Sequence, residues 1–516
     1  MGLSCGWPSQ EIGEQPTVNA LFSSWIPIHN QGVQEKITLQ QLLCGEKTGE
    51  LCLPRDDMEL ACLQLLAAIT QICFMPADRK ALLGRLKQPL TAEEYAAGVD
   101  GKTTWFDVNH AETPFMQIRG VKSAEPTPMD KLLAGVADGT NKTFMNPDGL
   151  GIGLCGGCAA IALFNTANNC PSMGGGFKGS LRGSTPITQL IMGSSLRQTI
   201  WLNVLHKERI NQVMPWYADT TEQRPNYLDP IPAGATIPAA GIGLARGLLW
   251  QPAHFELLPA TVNGCCSLCG EPDRLFTAFN KAKFTYTVEG VWPHPLSART
   301  FKIVKGKKEE KFLSFTTRAP GWSQLSRLVF AQQSDKEGQT PAPVLDQARD
   351  KLVKGNRLQF VIGGYRNNKA TVLERRHELF TLAAGWAEHG SLIHHIVATG
   401  LGYKTALRKA LYLFAVGIKD KIHGAGVNLC EPGDTLYFQQ TEQYLHHIFG
   451  AIDFQQPEPF LDGLHQQLKQ TVLRLFDQVT KPYRQEPKML KALALARRSL
   501  NKSLAELIPQ VSKGEV

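Results

Sequence analysis

The sequence predicts an α+β protein, with a large mixed α/β N-terminal domain followed by a C-terminal all-α helical bundle of the four-helix type. From Leu21 to about Lys369, short apolar runs alternate with Gly and Pro, which is typical of mixed strands and helices. From Thr371 onward, apolar residues recur at three- and four-residue spacing, which is typical of amphipathic helices. A chain of 516 residues also exceeds the size at which one hydrophobic core usually stops growing. The predicted organisation is a loose N-terminal extension (1–18), the mixed domain (19–378) and the bundle (379–516).

One early helix and a late helical region have the clearest local signals. Arg55, Asp56, Asp57 and Glu59 supply N-cap candidates and first-turn acids before an apolar run that ends at Ile72, so this helix is predicted to be buried. The late region has short Gly- or Pro-containing linkers, which predicts an antiparallel bundle. Its predicted helical stretches are Leu373–Glu388, Leu392–Ile418, Leu436–Phe449, Phe460–Val479 and Met489–Leu507.

The charge distribution permits a nucleic-acid partner. The 54 Lys and Arg residues exceed the 46 Asp and Glu residues, although a solvated basic surface would give the same balance. The segment from Gly149 to Lys207 contains no acidic residue and is rich in glycine, which places bare backbone beside sparse cations and suits a phosphate backbone. The chain lacks a signal-peptide pattern and a run of eighteen apolar residues, so a cytoplasmic location is expected.

Four cysteines form the clearest chemical constellation. Cys155 and Cys158 make one CxxC pair, and Cys266 and Cys269 make a second, a spacing that is typical of turns holding a tetrahedral zinc ion. Four thiolates would fill the coordination sphere and leave no open position for catalysis, so a structural zinc is predicted, with free thiols as the alternative. The neighbouring Cys265 is an alternative ligand to Cys266.

The sequence gives little support for an enzymatic function. Residues Gly151 to Gly156 match GxGxxG, but no strand pattern precedes them and no acidic residue follows at the required distance. Walker A and HExxH motifs do not occur. The chain is therefore predicted to have no catalytic residues. A zinc-dependent hydrolase and a stand-alone nucleic-acid-binding protein remain as alternative functions.

Blocks of sequence over nearly the whole chain match one family in the same order. They include Leu53-Pro-Arg-Asp-Asp-Met-Glu-Leu60, Thr127-Pro-Met-Asp-Lys-Leu-Leu-Ala-Gly135, Leu154-Cys-Gly-Gly-Cys158, Gly174-Gly-Gly-Phe-Lys178, Leu249-Trp-Gln-Pro-Ala-His254, Gly363-Gly-Tyr-Arg-Asn-Asn368 and Gly402-Tyr-Lys-Thr-Ala-Leu-Arg-Lys-Ala410. On these blocks the chain resembles the large subunit of the type I-E CRISPR Cascade surveillance complex, the CasA family. Only about the first eighteen residues fall outside the resemblance.

The resemblance implies a noncatalytic subunit of an RNA-guided antiviral complex. In such complexes the guide RNA reads the target by base pairing, whereas protein reads the short neighbouring PAM. The resemblance implies PAM recognition through the minor groove of target double-stranded DNA, help in starting strand separation and R-loop formation, and recruitment of a helicase-nuclease. The implied partners are the other Cascade subunits, the CRISPR guide RNA, the target DNA and that nuclease.

The resemblance also assigns DNA-binding positions. The glycine loop is Ser172, Met173, Gly174 and Gly175, the groove-reading lysine is Lys283, and the hairpin tip with its strand-separating wedge is Asn368–Lys369. The family loop usually begins with glycine where this chain has Ser172, and the familiar wedge is glutamine where this chain has Lys369. A lysine can prop a duplex open and attract phosphate, but it cannot accept a hydrogen bond.

Three further expectations concern the docking of the guide RNA, the metal site and the C-terminal helical bundle. The loop from Phe144 to Gly153 is implied to meet the guide RNA, with Phe144 able to stack on a base and Asn146 able to hydrogen-bond. The four CxxC cysteines fall at positions that hold a structural zinc in the family. Basic residues of the bundle are candidates for steering a DNA strand; these are Lys404, Arg408 and Lys409.

Overall fold

The computed structural model describes residues 18–136, 149–349, 357–418 and 422–507, and these form a mixed helix-and-sheet protein with a helical C-terminal part. The predicted fold class is therefore confirmed. The helices are α1 (Leu39–Leu43), α2 (Asp56–Phe74), α3 (Arg79–Lys87), α4 (Ala92–Val99), α5 (Gly156–Asn168), α6 (Leu196–Leu202), α7 (Lys207–Val213), α8 (Leu244–Leu248), α9 (Leu325–Val329), α10 (Pro343–Gln347), α11 (Gly390–Val416), α12 (Cys430–Ala451), α13 (Glu458–Thr480) and α14 (Met489–Leu507).

The strands are short except for one long hairpin. They are β1 (Ile26–Asn30), β2 (Val33–Ile37), β3 (Glu50–Leu51), β4 (Thr127–Pro128), β5 (Thr188–Ile191), β6 (Ala235–Pro238), β7 (His254–Leu257), β8 (Val262–Cys265), β9 (Pro272–Leu275), β10 (Ala278–Ala282), β11 (Tyr286–Glu289), β12 (Arg299–Val304), β13 (Lys307–Phe312), β14 (Gln332–Gln333), β15 (Glu337–Thr340), β16 (Leu358–Asn368), β17 (Thr371–Leu382), β18 (Gly417–Ile418) and β19 (Ile422–His423). They form small sheets with the orders β2-β1-β3, β4-β10-β7, β13-β12-β15-β14, β17-β16-β5, β11-β6, β18-β19 and β8-β9.

The chain divides into two compact units. The first unit contains α1 to α8 and α10 together with most of the strands, and all the site residues discussed below except those of the helical bundle. The second unit contains α9 and the four long helices α11 to α14. Within the second unit, the buried Tyr437 hydroxyl donates to the Gly400 carbonyl over 2.6 Å and thereby ties α12 to α11.

Helix α2 is the core helix that the sequence predicts. Its first turn carries Asp56, Asp57 and Glu59, and its middle is buried on all sides. By length and composition this helix could also cross a membrane, but 67% of the apolar window is buried inside the protein. A core helix passes the same test, and the burial of α2 against α5 accounts for its apolar sequence.

The predicted helix Leu373–Glu388 is wrong. Residues Thr371–Leu382 instead form strand β17, which pairs with β16 in a long hairpin. Strand β16 is almost fully buried from Leu358 to Tyr365, so cross-strand packing outweighs the helix-like spacing of the neighbouring apolar residues. The other predicted helices of this region correspond to α11, α12, α13 and α14.

Candidate nucleic-acid interface and four-cysteine site

A glycine-rich loop follows α5 and leads to β5. Gly174, Gly175 and Gly176 have φ angles of +73°, +52° and +90°, a left-handed region in which side chains beyond glycine are strained. The three glycines therefore form a tight turn with bare, accessible backbone. This loop contains the expected positions Ser172 to Gly175.

Lys283 lies against this loop although more than a hundred residues separate them. It follows β10 directly, its side chain is exposed, and its ammonium donates to the Gly175 carbonyl over 2.9 Å. A methyl group added at Gly176 would lie 3.6 Å from the Lys283 Nζ atom. The structure thus brings together two of the segments that the resemblance connects.

The tip of the β16–β17 hairpin forms the third side of the site. Lys369 begins the two-residue connection between the strands and has a φ of +54°. A methyl group at Gly174 would lie 3.7 Å from the Ala370 Cβ atom, so the loop and the tip are in contact range. We refer to Ser172–Gly176, Lys283 and Asn368–Ala370 together as the tip cluster.

Asn367, which no motif in the sequence singles out, fixes the hairpin tip. Its side-chain amide donates to the Lys369 carbonyl over 2.6 Å and to the Ser184 hydroxyl over 3.3 Å. Its carbonyl oxygen accepts from the Thr185 hydroxyl over 2.7 Å. The Asn-Asn pair before a turn is the only hint in the sequence, because Asn often bonds to nearby backbone.

Arg182 holds the two stems of the glycine-rich loop together. Its guanidinium is fully buried and donates to the Asn168 carbonyl and the Asn169 side chain at the end of α5, and to the Thr188 hydroxyl at the start of β5. It also donates to the Ser297 hydroxyl over 2.7 Å. Burial lowers the pKa of Arg182 to about 9. The negative end of the α5 dipole and four neutral acceptors stabilise this cation.

A buried ionic network supports the base of the hairpin. Asp57, at the start of α2, pairs with Arg55 over 2.6 Å and accepts from the Tyr365 hydroxyl of β16 over 2.7 Å. Arg375 of β17 lies 3.5 Å from the same carboxylate. Desolvation raises the pKa of Tyr365, so it remains a neutral donor. The hairpin is therefore joined to the core helix on both of its strands.

The four predicted cysteines lie together in the first unit. The sulfur atoms of Cys155, Cys158, Cys266 and Cys269 are all within 4.8 Å of one another, and all four residues are buried. The Cys155 backbone N–H donates to the Cys266 sulfur over 3.3 Å, so Cys266 rather than Cys265 completes the set. A group of four sulfur ligands at this spacing fits a tetrahedral zinc ion. Cys155 also occupies the N-cap position of α5, without a side-chain capping hydrogen bond, and the positive N-terminal end of a helix favours thiolates.

Lys36 is a neighbour of this cluster that no sequence pattern predicts. Its ammonium donates to the Cys155 sulfur over 3.4 Å from strand β2. Although burial opposes its charge, the nearby Cys155 and Cys269 thiolates raise the pKa of Lys36 above its ordinary value. The chain positions of Lys36 and Cys155 are too far apart for any local pattern to reveal this contact.

Other expected positions lie elsewhere or outside the described residues. Phe144 and Asn146 fall in the range 137–148, which the structure does not describe. In the bundle, Arg408 pairs with Asp434, and Lys404 lies 3.8 Å from the same carboxylate, whereas Lys409 is exposed. Two of the three candidate strand-steering cations are therefore already paired within the bundle.

Solved structures with the same fold are known. The fold resembles solved CRISPR-associated proteins at low identity: a CRISPR associated protein from Thermus thermophilus (18% identity, TM-score 0.70, covering 96% of this chain and 100% of that one) and Thermobifida fusca Cse1 (16%, 0.72, 95% and 98%). A chain of a CRISPR RNA-guided surveillance complex is also similar (16% identity, TM-score 0.65, covering 94% of this chain and 100% of that one).

The family follows from the sequence profile. The profile of CRISPR-associated protein Cse1 matches residues 19–475, which is most of the chain. The chain therefore belongs to the Cse1 family, for which CasA is another name. The resemblance to the type I-E large subunit is confirmed.

Proposed function

We propose that this chain is the noncatalytic large subunit of a cytoplasmic, RNA-guided Cascade surveillance complex and that the tip cluster reads the PAM of target DNA. The observation that carries the proposal is the convergence of the glycine-rich loop, Lys283 and the hairpin tip. These segments are distant in sequence. The loop would contribute bare backbone, Lys283 a hydrogen-bond donor and the hairpin tip a wedge. Family membership supports the RNA-guided context.

The geometry suits reading from the minor groove. Bare backbone at Gly174 to Gly176 can approach the groove closely, because glycine has no side chain to collide with a base pair. The Lys283 ammonium has three donors, and its bond to Gly175 uses one while fixing the position of the other two. Acceptors occur on every base pair in this groove, so one lysine would tolerate several PAM sequences.

The hairpin tip is proposed to part the strands next to the PAM. Separating a base step costs on the order of a few kcal/mol, so a wedge functions only together with favourable groove and backbone contacts. Asn367 and the Asp57 network fix the hairpin. This limits how far Lys369 would move when the DNA duplex resists opening. The opened duplex would then be available for pairing with the guide RNA and for recruitment of a helicase-nuclease.

One structural zinc ion is proposed for the four-cysteine site. Cys155, Cys158, Cys266 and Cys269 would hold it, and it would join the start of α5 to the turn after β8. The positive charge of Lys36 would offset part of the charge of the four thiolates. Because four sulfur ligands leave no open coordination position, this arrangement favours a structural role over the hydrolase alternative.

Binding measurements on the assembled complex test the proposed function. The complex with guide RNA is expected to bind duplexes that carry the PAM more tightly than duplexes that differ only in the PAM. The isolated chain is expected to show a far smaller preference. A preference of equal size in the isolated chain would favour the stand-alone binding protein, and no preference in the complex would overturn PAM reading.

Replacing Lys369 with glutamine tests whether the wedge requires a positive charge or only a long side chain. We expect Lys369→Gln to give R-loop yields close to those of the wild type at low salt, because both side chains are long enough to fill the opened step. The yield should depend less on salt, because one phosphate attraction is lost. Lys369→Gly removes the wedge without straining the positive φ angle and should lower the yield about tenfold. Equal yields for the glycine variant and the wild type would remove Lys369 from strand separation.

A further inference from the structure

Four rings contact one another in a row that begins next to Lys283. They belong to His254, Phe284, Tyr286 and Trp250, and each ring contacts the next in this order. The ring centroids are 4.3 Å, 4.8 Å and 5.5 Å apart along the row, distances at which rings stabilise one another beyond the area that they bury. We call these four rings the aromatic ladder.

The ladder extends the attachment of β10 to β7 beyond the end of the strand pairing. Strand β10 ends at Ala282, whose partner in β7 is His254, and residues 283–285 connect β10 to β11. Phe284 lies in this connection directly after Lys283, and its ring stacks on the His254 ring with an angle of 18° between the planes. The stack therefore holds the connection to β7 at the residue that follows Lys283.

The other end of the ladder is anchored in the core. Tyr286 and Trp250 are buried, and the Trp250 indole N–H donates to the Tyr286 hydroxyl over 3.2 Å. Phe284 and His254 are half-buried, so the ladder runs from the core to the surface. Trp250 and His254 both belong to the sequence block Leu249–His254, for which the proposed function gives no role.

Tyr286 also contacts the glycine-rich loop. The ammonium group of the exposed Lys178 lies 5.8 Å from the centre of the Tyr286 ring, within the range of cation–π attraction. Lys178 follows Gly176 by two residues, and Lys283 donates to the Gly175 carbonyl from the other side. The loop and the Lys283 segment are thus joined twice, directly and through the ladder.

Lys283 needs such support to read a groove. A lysine side chain has many rotamers, and its hydrogen bond to Gly175 is exposed, so water competes for both groups. A binding group must be held within about 0.5 Å of its productive position by rigid neighbours. The stacked rings lose little conformational entropy when they order, because an aromatic side chain has only two rotatable bonds. They therefore suit the task of fixing the backbone beside Lys283.

We propose that the aromatic ladder positions the PAM-reading lysine. The stack of Phe284 on His254 fixes the backbone at Lys283, and Tyr286 extends this constraint to the glycine-rich loop through Lys178. In this role the rings act through Lys283 and do not contact DNA themselves. The inference rests on the proposed function, because it concerns how the groove-reading donor is held.

The test is the affinity ratio of PAM to non-PAM duplexes for the assembled complex with guide RNA. Phe284→Ala should lower this ratio about fivefold, because Lys283 is no longer held, and should leave binding to non-PAM duplexes almost unchanged. Phe284→Tyr retains the ring and should retain the ratio. The double variant of Lys283→Ala and Phe284→Ala should have the ratio of Lys283→Ala alone, because the residue to be positioned is already absent.

Three further variants separate positioning from general damage. His254→Ala removes the other ring of the stack and should reproduce the loss, whereas His254→Phe restores a ring and should retain most of the ratio. Phe22→Ala removes an exposed ring elsewhere in the same unit and should behave like the wild type. Thermal unfolding of each variant identifies any change in folding.

The outcomes distinguish this inference from the proposed function. An unchanged ratio in Phe284→Ala, when Lys283→Ala lowers the ratio, would overturn the inference and leave the proposed function intact. Losses that add in the double variant would also overturn it, because Phe284 would then contact DNA independently of Lys283. An unchanged ratio in Lys283→Ala would overturn both.

Discussion

Replacing Cys269 with serine will abolish stoichiometric zinc binding and lower the free energy of unfolding of the first unit by at least about 3 kcal/mol. The four thiolates lie within 4.8 Å of one another and join segments that are more than a hundred residues apart. Losing one ligand would weaken the proposed zinc site and leave three buried sulfur atoms without a common partner. The free energy of zinc binding would then no longer contribute to folding.

Metal content and thermal unfolding measure this effect. The wild type should carry one zinc ion per chain and lose thermal stability when a strong chelator removes it. Cys52→Ser is the matched control, since Cys52 is a free, half-buried cysteine outside the cluster. Full zinc content and an unchanged unfolding temperature in Cys269→Ser would contradict the assignment of the site.

Arg182→Met will have the second large effect, a loss of about 3–5 kcal/mol in stability, because each buried acceptor left without a donor costs about 1–3 kcal/mol. Methionine fills much of the same volume but donates no hydrogen bonds, so the acceptors of Asn168, Asn169, Thr188 and Ser297 lose their common donor. These groups include both stems of the glycine-rich loop. We therefore expect the loop to lose its fixed geometry before the rest of the unit unfolds.

Hydrogen exchange distinguishes this local effect from a general one. Exchange should accelerate in residues 170–187 of Arg182→Met at temperatures where the other segments remain protected, and the PAM preference of the assembled complex should fall. Arg224→Met replaces an exposed arginine and is the matched control. Uniformly faster exchange, or an undisturbed loop with an unchanged PAM preference, would contradict the positioning role of Arg182.

The sequence predicts those elements whose signal is local. Helix α2 has an acidic first turn and a continuous apolar run, and the long helices of the second unit have regular apolar spacing. The segment after Thr371 also has helix-like spacing, yet it pairs with β16, because a buried neighbouring strand outweighs local preference. The sequence of the segment itself does not reveal that β16 is its pairing partner.

In the candidate site, too, the sequence predicts the features that depend on local patterns and not those that depend on tertiary packing. Consecutive glycines and paired CxxC turns are local patterns, so the glycine-rich loop and the cysteine cluster were predictable. The contacts of Lys36 with Cys155 and of Arg182 with Ser297 join residues more than a hundred positions apart. The aromatic ladder likewise joins rings from separate segments of the chain. Such features arise only from tertiary packing.

We propose that Lys283 and the glycine-rich loop read the PAM. The affinity ratio of PAM to non-PAM duplexes, measured for the complex that contains Lys283→Ala, tests this proposal most directly. The ratio should fall about tenfold, because the hydrogen-bond donor that Gly175 positions is lost, while binding to non-PAM duplexes should change little. Lys207→Ala removes an exposed lysine of the same unit and is the matched control. A ratio in Lys283→Ala equal to that of the wild type would contradict the account.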